Sequence, residues 1–237
     1  MNHNTAFSFA EVFSRSRDPK FLQAAVEILT LLAQEYPYVT KIQQELVFAN
    51  LELHDLTDDE KYRVVAERLL DDMSRRRQQN HYESCCRAGR LYKDRGDAQL
   101  GSEDPKTQAQ AVSKYEIACK HYLKGYELSV QHYYPGINAA TLHLLMGESE
   151  MAAAIAQDIL NDLTSNSEKY ADNDIWITAA KAEACLLLRE FAEARTFYLR
   201  VLDSPSFQLH HRSSMKVQVQ RILRVKPCAE LDLLSIF

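Results

Sequence analysis

Apolar residues recur along most of the chain at spacings of three and four, which is the spacing of one face of an α-helix. The clearest run starts after Asp18, a residue that caps helix amides, and Pro19, which suits a first helical position. Pro37 ends this run, whose apolar positions are Phe21, Leu22, Ala25, Ile28, Leu29 and Leu32. With only six Gly and six Pro in 237 residues, an all-β design is excluded, because it needs frequent turn residues.

The same spacing predicts further helices in pairs. One pair covers Ile42–Leu53 and Val64–Leu70, and another begins near His81 with a turn at Gly96. The stretch from Asp97 to Ser113 is rich in small and polar residues, so we expect most of it to be an exposed insertion. Later helices are predicted at 138–145, 152–160, 176–188, 194–201 and 213–225, with a polar loop over 164–174. The apolar tail from Leu231 to Phe237 is expected to fold back onto the protein, and docking into a partner is the alternative.

Ala118 and Ala152 are each the small residue in a bulky helical stretch, and they lie 34 positions apart. A helix, a turn and a second helix within 34 residues is the period of the tetratricopeptide repeat. The pattern therefore predicts an all-α, tetratricopeptide-like α-solenoid of antiparallel helix pairs with a C-terminal capping helix. We expect a single domain over residues 1–237, with its core at about 18–210 and the capping helix and tail at 211–237.

Two strings add a resemblance to a particular family. AGRLYKD at residues 88–94 is followed, after an insertion and a helix, by YYPGINAATL at residues 133–142. This order resembles the tetratricopeptide region of the apoptosis signal-regulating kinases, in which a Gly-Arg-Ile-Tyr-Lys-Asp segment precedes a Gly-Ile-Asn segment. It also resembles the bacterial proteins that share this TRAFs-binding-type domain. The resemblance implies a regulatory scaffold that holds signalling proteins. The kinase motifs are missing from this sequence, so binding to TRAF proteins is not implied.

Net charge and cysteine content limit the classes of partner and the cellular compartment that we expect for this protein. The net charge of −5, without a basic tail, argues against the broad phosphate contacts of a nucleic-acid-binding protein. No apolar run approaches the ~20 residues that span a bilayer, and the first residues do not have the pattern of a secretory signal. Five cysteines, none in a C-x-x-C pair, indicate a reducing cytoplasm. We therefore expect a cytoplasmic protein that binds neither nucleic acid nor membranes; the oligomeric state is not indicated.

Few residues point to chemistry, and we expect no enzyme activity, cofactor or metal. The adjacent Cys85 and Cys86 are interpreted as small packing residues, with a thiol-based redox regulator as the alternative. His210, His211 and Cys228 do not have the spacing of a zinc site. A receptor for a nucleotide or metabolite is a further alternative, although the sequence has no glycine-rich phosphate loop.

The inner faces of the first helices of each pair are the candidate binding surface. A tetratricopeptide array presents these faces as a concave groove, and aromatic and arginine side chains are the usual anchors of protein interfaces. The alternative for Tyr134 and Trp176 is that they pack between helices. The sequence therefore predicts a non-catalytic scaffold or adaptor in a signalling complex, which binds a peptide or helix of a partner protein through Arg90, Lys93, Tyr134, Asn138, Thr141, Trp176 and Glu183.

Overall fold

The computed structural model describes residues 3–76, 81–129, 132–166, 174–227 and 233–237, and within these ranges the chain is helical and contains no strand. A short 3-10 helix at Leu233–Ile236 follows the last α-helix. The α-helices are α1 (His3–Ser14), α2 (Pro19–Glu35), α3 (Thr40–Thr57), α4 (Glu60–Arg75), α5 (Tyr82–Leu100), α6 (Pro105–Leu128), α7 (Tyr133–Leu145), α8 (Ser149–Ser165), α9 (Ile175–Leu188), α10 (Phe191–Leu202) and α11 (Leu209–Val225).

Aspartates cap several helices, as the sequence predicts for α2. The Asp18 carboxylate accepts a hydrogen bond of 2.8 Å from the backbone N–H of Lys20, and Pro19 is the first residue of α2. Asp104 and Pro105 repeat this arrangement at the start of α6. A capped, proline-started helix has a sharply defined first turn, because one free amide is bonded and another is absent.

The chain forms two compact units, Met1–Leu91 and Tyr92–Phe237, with the boundary inside α5. In the first unit α1 packs on α2, α2 on α3 and α3 on α4, and the first helices of the two pairs, α1 and α3, also touch. Two clusters of apolar residues fill this unit. One includes Ala25, Leu29 and Ile42, and the other includes Val47 and Leu70.

In the second unit the helices from α6 to α10 pack consecutively, and α7 also touches α9. Ala118, Ala152 and Ala194 lie in α6, α8 and α10, the second helix of each pair, and all three are completely buried. A methyl side chain at these positions lets the neighbouring helix approach closely. The predicted fold class is confirmed: the described part of the chain is all-α, and its neighbouring helices pack in pairs as in a tetratricopeptide-like solenoid.

Gly96 is not a turn, contrary to the expectation from the sequence. It lies inside α5, which continues to Leu100, and a Cβ placed on it would lie 2.4 Å from the Tyr115 ring. The stretch predicted as an insertion is therefore largely an extension of α5 and α6 around a short connection at 101–104. Most of its residues are exposed, as expected, but Ala111 is completely buried.

The C-terminal residues pack onto their own unit. Leu233 is completely buried, and the Phe237 ring lies edge-on to the Tyr198 ring at 5.1 Å between centroids. The expected folding back of the tail is confirmed for residues 233–237, whereas Leu231 lies outside the described residues. Of the predicted loop at 164–174, residues 167–173 also lie outside them.

Candidate functional site

Lys93 and Asn138 form the centre of a polar cluster in the second unit. Lys93 Nζ donates a hydrogen bond of 2.6 Å to Asn138 Oδ1, and both side chains are buried. Asn138 Nδ2 donates in turn to the backbone oxygen of Tyr134, one helical turn earlier in α7, at 2.9 Å. This second bond fixes the amide so that its oxygen points to the ammonium group.

Glu183 on α9 belongs to the same cluster. Burial raises the pKa of its carboxyl group to about 7, although Lys93, a hydrogen bond involving Gln218, and Arg221 all act in the opposite direction. Burial also lowers the pKa of the Lys93 ammonium to about 8, and nearby Arg221 lowers it further. The two groups therefore change charge close to neutral pH, which is unusual for a lysine and a glutamate.

Helix α11 completes the cluster with residues that the sequence analysis missed. Arg221 donates from Nε and Nη2 to Asp97 Oδ2 on α5, at 2.8 and 2.5 Å, and its Nη2 lies 3.5 Å from Asp94 Oδ1. Gln218 Nε2 donates to Thr141 Oγ1 on α7 at 3.0 Å. Arg221 and Asp97 are 124 positions apart, so no local pattern could have paired them. We call the surface under α11 the polar face: Lys93, Asp94, Asp97, Asn138, Thr141 and Glu183.

Tyr134 and Trp176 are exposed aromatic residues in equivalent places, since each is the second residue of its helix. They lie seven positions before Thr141 and Glu183, so they share the helix face of these residues. Tyr134 is 39% exposed and contacts the Tyr122 ring edge-on at 6.3 Å between centroids. Trp176 is 44% exposed and meets His211 of α11 at 5.1 Å. Both side chains thus combine partial packing with an accessible surface.

Arg90 belongs to the first unit and is bonded to two carboxylates. Its Nη1 donates to Glu52 Oε1 at 2.8 Å, and its Nη2 donates to Asp55 Oδ2. Among the seven predicted site residues, four therefore come together in the polar face, two form the neighbouring aromatic pair, and Arg90 forms ion pairs in the other unit. Their role in binding a partner stays a prediction.

The first unit has its own ion pairs around a buried carboxylate, which the sequence patterns did not indicate. The Glu45 carboxylate is buried in α3 and accepts hydrogen bonds from Arg15, while Arg87 Nη2 lies 3.6 Å from it. Both guanidinium groups also lie over the Phe48 ring, at 4.3 and 5.0 Å from its centroid. Glu45 and Glu52 are seven residues apart and so share a helix face, and this spacing is the one sequence signal that could have indicated them.

The structure argues against a thiolate at the cysteine pair. Cys85 and Cys86 are buried in α5. Burial and the nearby Glu83 raise the pKa of the Cys86 thiol to about 12. A redox sensor needs an exposed thiol of low pKa, so these side chains have the properties of packing residues.

Cys119, His143 and Glu148 lie in the order of a nucleophile, a base and an orienting acid. Cys119 Sγ is 3.4 Å from His143 Nε2, and His143 Nδ1 bonds to Glu148. The thiol, however, is 3% exposed, and burial raises its pKa to about 12. Substrate could not reach this sulfur, so we assign no catalysis to it.

No group of His, Cys, Asp and Glu side chains within the described ranges is placed to hold a metal ion. Cys228 lies outside those ranges, and the side chain of His210 is not described. The helices that the structure describes are also either too short or too polar to cross a membrane.

A comparison with protein families supports the repeat assignment. A family model described as Tetratricopeptide Repeats-Sensor matches residues 21–143, more than half of the chain. The chain belongs to this family. The match of the Tetratricopeptide Repeats-Sensor model runs from α2 into α7, so it includes Lys93, Tyr134, Asn138 and Thr141. Repeats of this type generally bind proteins and are not catalytic. No curated protein and no solved structure matches the chain.

Proposed function

We propose that this protein is a non-catalytic, cytoplasmic scaffold that holds a peptide or helix of a partner protein within a signalling complex. The observation that supports it is the combination of two exposed aromatic residues, Tyr134 and Trp176, with Thr141 and Glu183 of the polar face on the same helix faces. Aromatic anchors supply most of the energy of such contacts, and nearby charges supply orientation. The resemblance to the regulatory region of the apoptosis signal-regulating kinases agrees with a scaffold role.

The roles of the two basic residues differ from the expectation from sequence. Lys93 is buried against Asn138, and Arg90 is bonded to Glu52 and Asp55. Neither is placed as a freely extended anchor. They set the charge of their surroundings, and we assign direct contact with the partner to Tyr134 and Trp176.

Affinity purification with the intact protein, followed by a titration with the purified partner, tests this function. We expect the double substitution Tyr134→Ala and Trp176→Ala to weaken binding at least tenfold, because two anchor residues together contribute several kcal/mol at a typical hot spot. Tyr38→Ala is the matched control, since this tyrosine of the first unit is 80% exposed. Equal affinities for the double variant and the control, with unchanged circular dichroism, would exclude this site.

Reception of a small molecule is a second candidate, which the family description of a sensor suggests. The convergence of Lys93, Glu183 and Arg221 in a partly buried cluster favours it, because ligand sites contain a few converging polar groups. Thermal unfolding in the presence of nucleotides and charged metabolites tests it: a specific ligand raises the unfolding temperature, and a panel without any such shift argues against this candidate.

A further inference from the structure

Helix α11 lies along α9 and packs on α7, and its Arg221 side chain reaches α5. Lys226, just after α11, donates a hydrogen bond to the backbone oxygen of Leu187 near the end of α9. Near its start, His211 contacts Trp176 of α9. In its middle, Gln218 bonds to Thr141 of α7, and closer to its end Arg221 bonds to Asp97 of α5. A helix that serves only to continue a repeat array packs on the last pair. The path of α11 is instead the path that a bound helix would follow across the polar face.

One charge of α11 is complementary to the polar face, because Arg221 pairs with Asp97 and lies near Asp94. Helix α11 contains four basic residues, Arg212, Lys216, Arg221 and Arg224, and neither aspartate nor glutamate. The polar face contributes three carboxyl groups, from Asp94, Asp97 and Glu183, and the single ammonium of Lys93. Opposite charges across a contact select the partner and steer its approach.

Helix α11 is also amphipathic. Met215, Val219 and Ile222 are buried in the same apolar cluster as residues of α7 and α9. Exposed residues occupy its opposite side, among them Val217, Gln220 and Arg224, and Arg212 is exposed near the start of the helix. The buried apolar residues hold α11 against α7 and α9. The ion pair of Arg221 with Asp97 fixes the direction in which the helix lies.

We propose that the polar face is a docking surface for a basic amphipathic helix of a partner protein, and that α11 occupies this surface until the partner replaces it. This inference rests on the proposed scaffold function and names the kind of segment that it binds. Because α11 belongs to the same chain, its effective concentration at the surface is high. The partner helix therefore binds weakly unless α11 is loosened.

The partly buried ion pair of Arg221 and Asp97 is a suitable contact for such an exchange. The desolvation of its two charges offsets much of their attraction, so the pair contributes little net stability while it strongly disfavours a mismatched occupant. A partner helix with an arginine and a glutamine three residues apart reproduces the bonds of Arg221 and Gln218. Exchange then replaces each contact with an equivalent one.

A labelled peptide with the sequence of residues 209–225, titrated against the intact protein, tests the proposal by fluorescence anisotropy. We expect weak binding to the natural chain and at least tenfold tighter binding to the variant Gln218→Ala with Arg221→Ala, because the altered α11 competes less well. Higher salt should weaken this binding, since charges contribute to it. Arg212→Ala is the matched control: this arginine is exposed on the same helix, so its variant should bind the peptide like the natural chain.

Equal peptide binding by the natural chain and the double variant, or none by either while the variant remains folded, would overturn the proposal. If the double variant does not fold, hydrogen exchange of the natural chain decides. We expect the amides of α11 to exchange at least tenfold faster than those of α7, and equal protection contradicts a replaceable helix. A dimer that dissociates when the peptide is added would identify a second copy of the chain as the occupant and so exclude our choice.

The outcome is separable from that of the scaffold test. The peptide experiment reports on Gln218 and Arg221, whereas the purification experiment reports on Tyr134 and Trp176. Suppose that the Tyr134/Trp176 variant loses the partner while the peptide binds to neither protein. The scaffold function would then stand, and the proposed role of α11 would be rejected.

Discussion

Gly96 matters because it has no side chain at a point where α5 meets an aromatic ring. An added Cβ would lie 2.4 and 2.6 Å from two carbons of the Tyr115 ring. The ring cannot easily move away, since Tyr115 is buried and its hydroxyl donates a hydrogen bond of 2.8 Å to Asp97. Asp97 in turn binds Arg221. The absence of a side chain at Gly96 thus makes room for the ring that bonds to Asp97 of the polar face.

We expect Gly96→Ala to lower the free energy of unfolding by up to about 2 kcal/mol, because overpacking costs ~1–3 kcal/mol and the gain in helix propensity returns about 1 kcal/mol. Chemical denaturation measures the change. Gly101→Ala is the control, as a Cβ there meets its nearest atoms at an ordinary 3.6 Å. A variant at Gly96 as stable as this control would show that Tyr115 adjusts without cost.

For single residues, the sequence predicts roles that depend on neighbouring positions in the chain. It does not predict roles that depend on positions far away in the chain. The sequence predicts Asp18 as the N-cap of α2, which the structure has, because capping depends only on the next few residues. Gly96 was predicted as a turn because glycine is common in turns, whereas its actual reason is a ring 19 positions later in the chain. The positions of Lys93, Asn138, Thr141 and Glu183 on inner faces followed from helical spacing, but the burial of Lys93, Asn138 and Thr141 did not.

Helices α1, α3 and α5 are linked in the first unit by charged groups. The Glu45 carboxylate of α3 lies between Arg15, which follows α1, and Arg87 on α5. Glu52, one heptad later, binds Arg90 and lies 3.9 Å from Arg17. These pairs orient the helices more specifically than an apolar contact does, because guanidinium and carboxylate groups bond in defined directions.

We expect Glu45→Ala to destabilise the protein by about 1–3 kcal/mol. The substitution removes the Glu45 carboxylate from the largely buried Arg87 guanidinium. The loss is less than for a fully buried pair because the Arg15 side chain is half-exposed and can reach water. Glu11→Ala, which removes a more exposed pair with Lys41, should change stability by less than about 1 kcal/mol. Thermal or urea unfolding measures the stability of the Glu45 and Glu11 variants. Equal losses of stability would contradict the role of burial.

The existence and order of the helices could be predicted, but the length of α5 and the placement of α11 could not. Spacing of apolar residues determines where a helix lies, and polar residues at 97–113 look like a loop until a second helix contacts them. The spacing of apolar residues predicts α11 as the helix that caps the C-terminal end of the repeat array. Its position along α9 and α7 depends on bonds to residues 77 and 124 positions away, which a single sequence does not reveal.

For the molecule as a whole, the buried charges make stability depend on pH. The Lys93 ammonium has a pKa of about 8 in the folded protein, below its ordinary 10.5, because burial disfavours the charged form. Between these two values the unfolded chain holds a proton that the folded chain has released. Lowering the pH through this window therefore favours unfolding.

We accordingly expect the stability difference between the natural chain and Lys93→Met to rise in favour of the natural chain from pH 8 to pH 10. The slope approaches ~1.4 kcal/mol per pH unit, the value for one proton. Denaturant titrations at several pH values measure it, and taking the difference cancels most of the contribution of tyrosines and cysteines. Parallel curves for the two proteins would mean that Lys93 has an ordinary pKa in the folded state.

Trp176 is the only tryptophan in the sequence, and its ring lies against His211 of α11. Light absorbed at the red edge of the protein spectrum therefore excites this one indole, whose emission responds to a neighbouring imidazole and to water. Departure of α11 would remove the imidazole and admit solvent together. The chain thus contains its own optical reporter for the state of its last helix, and no dye has to be attached.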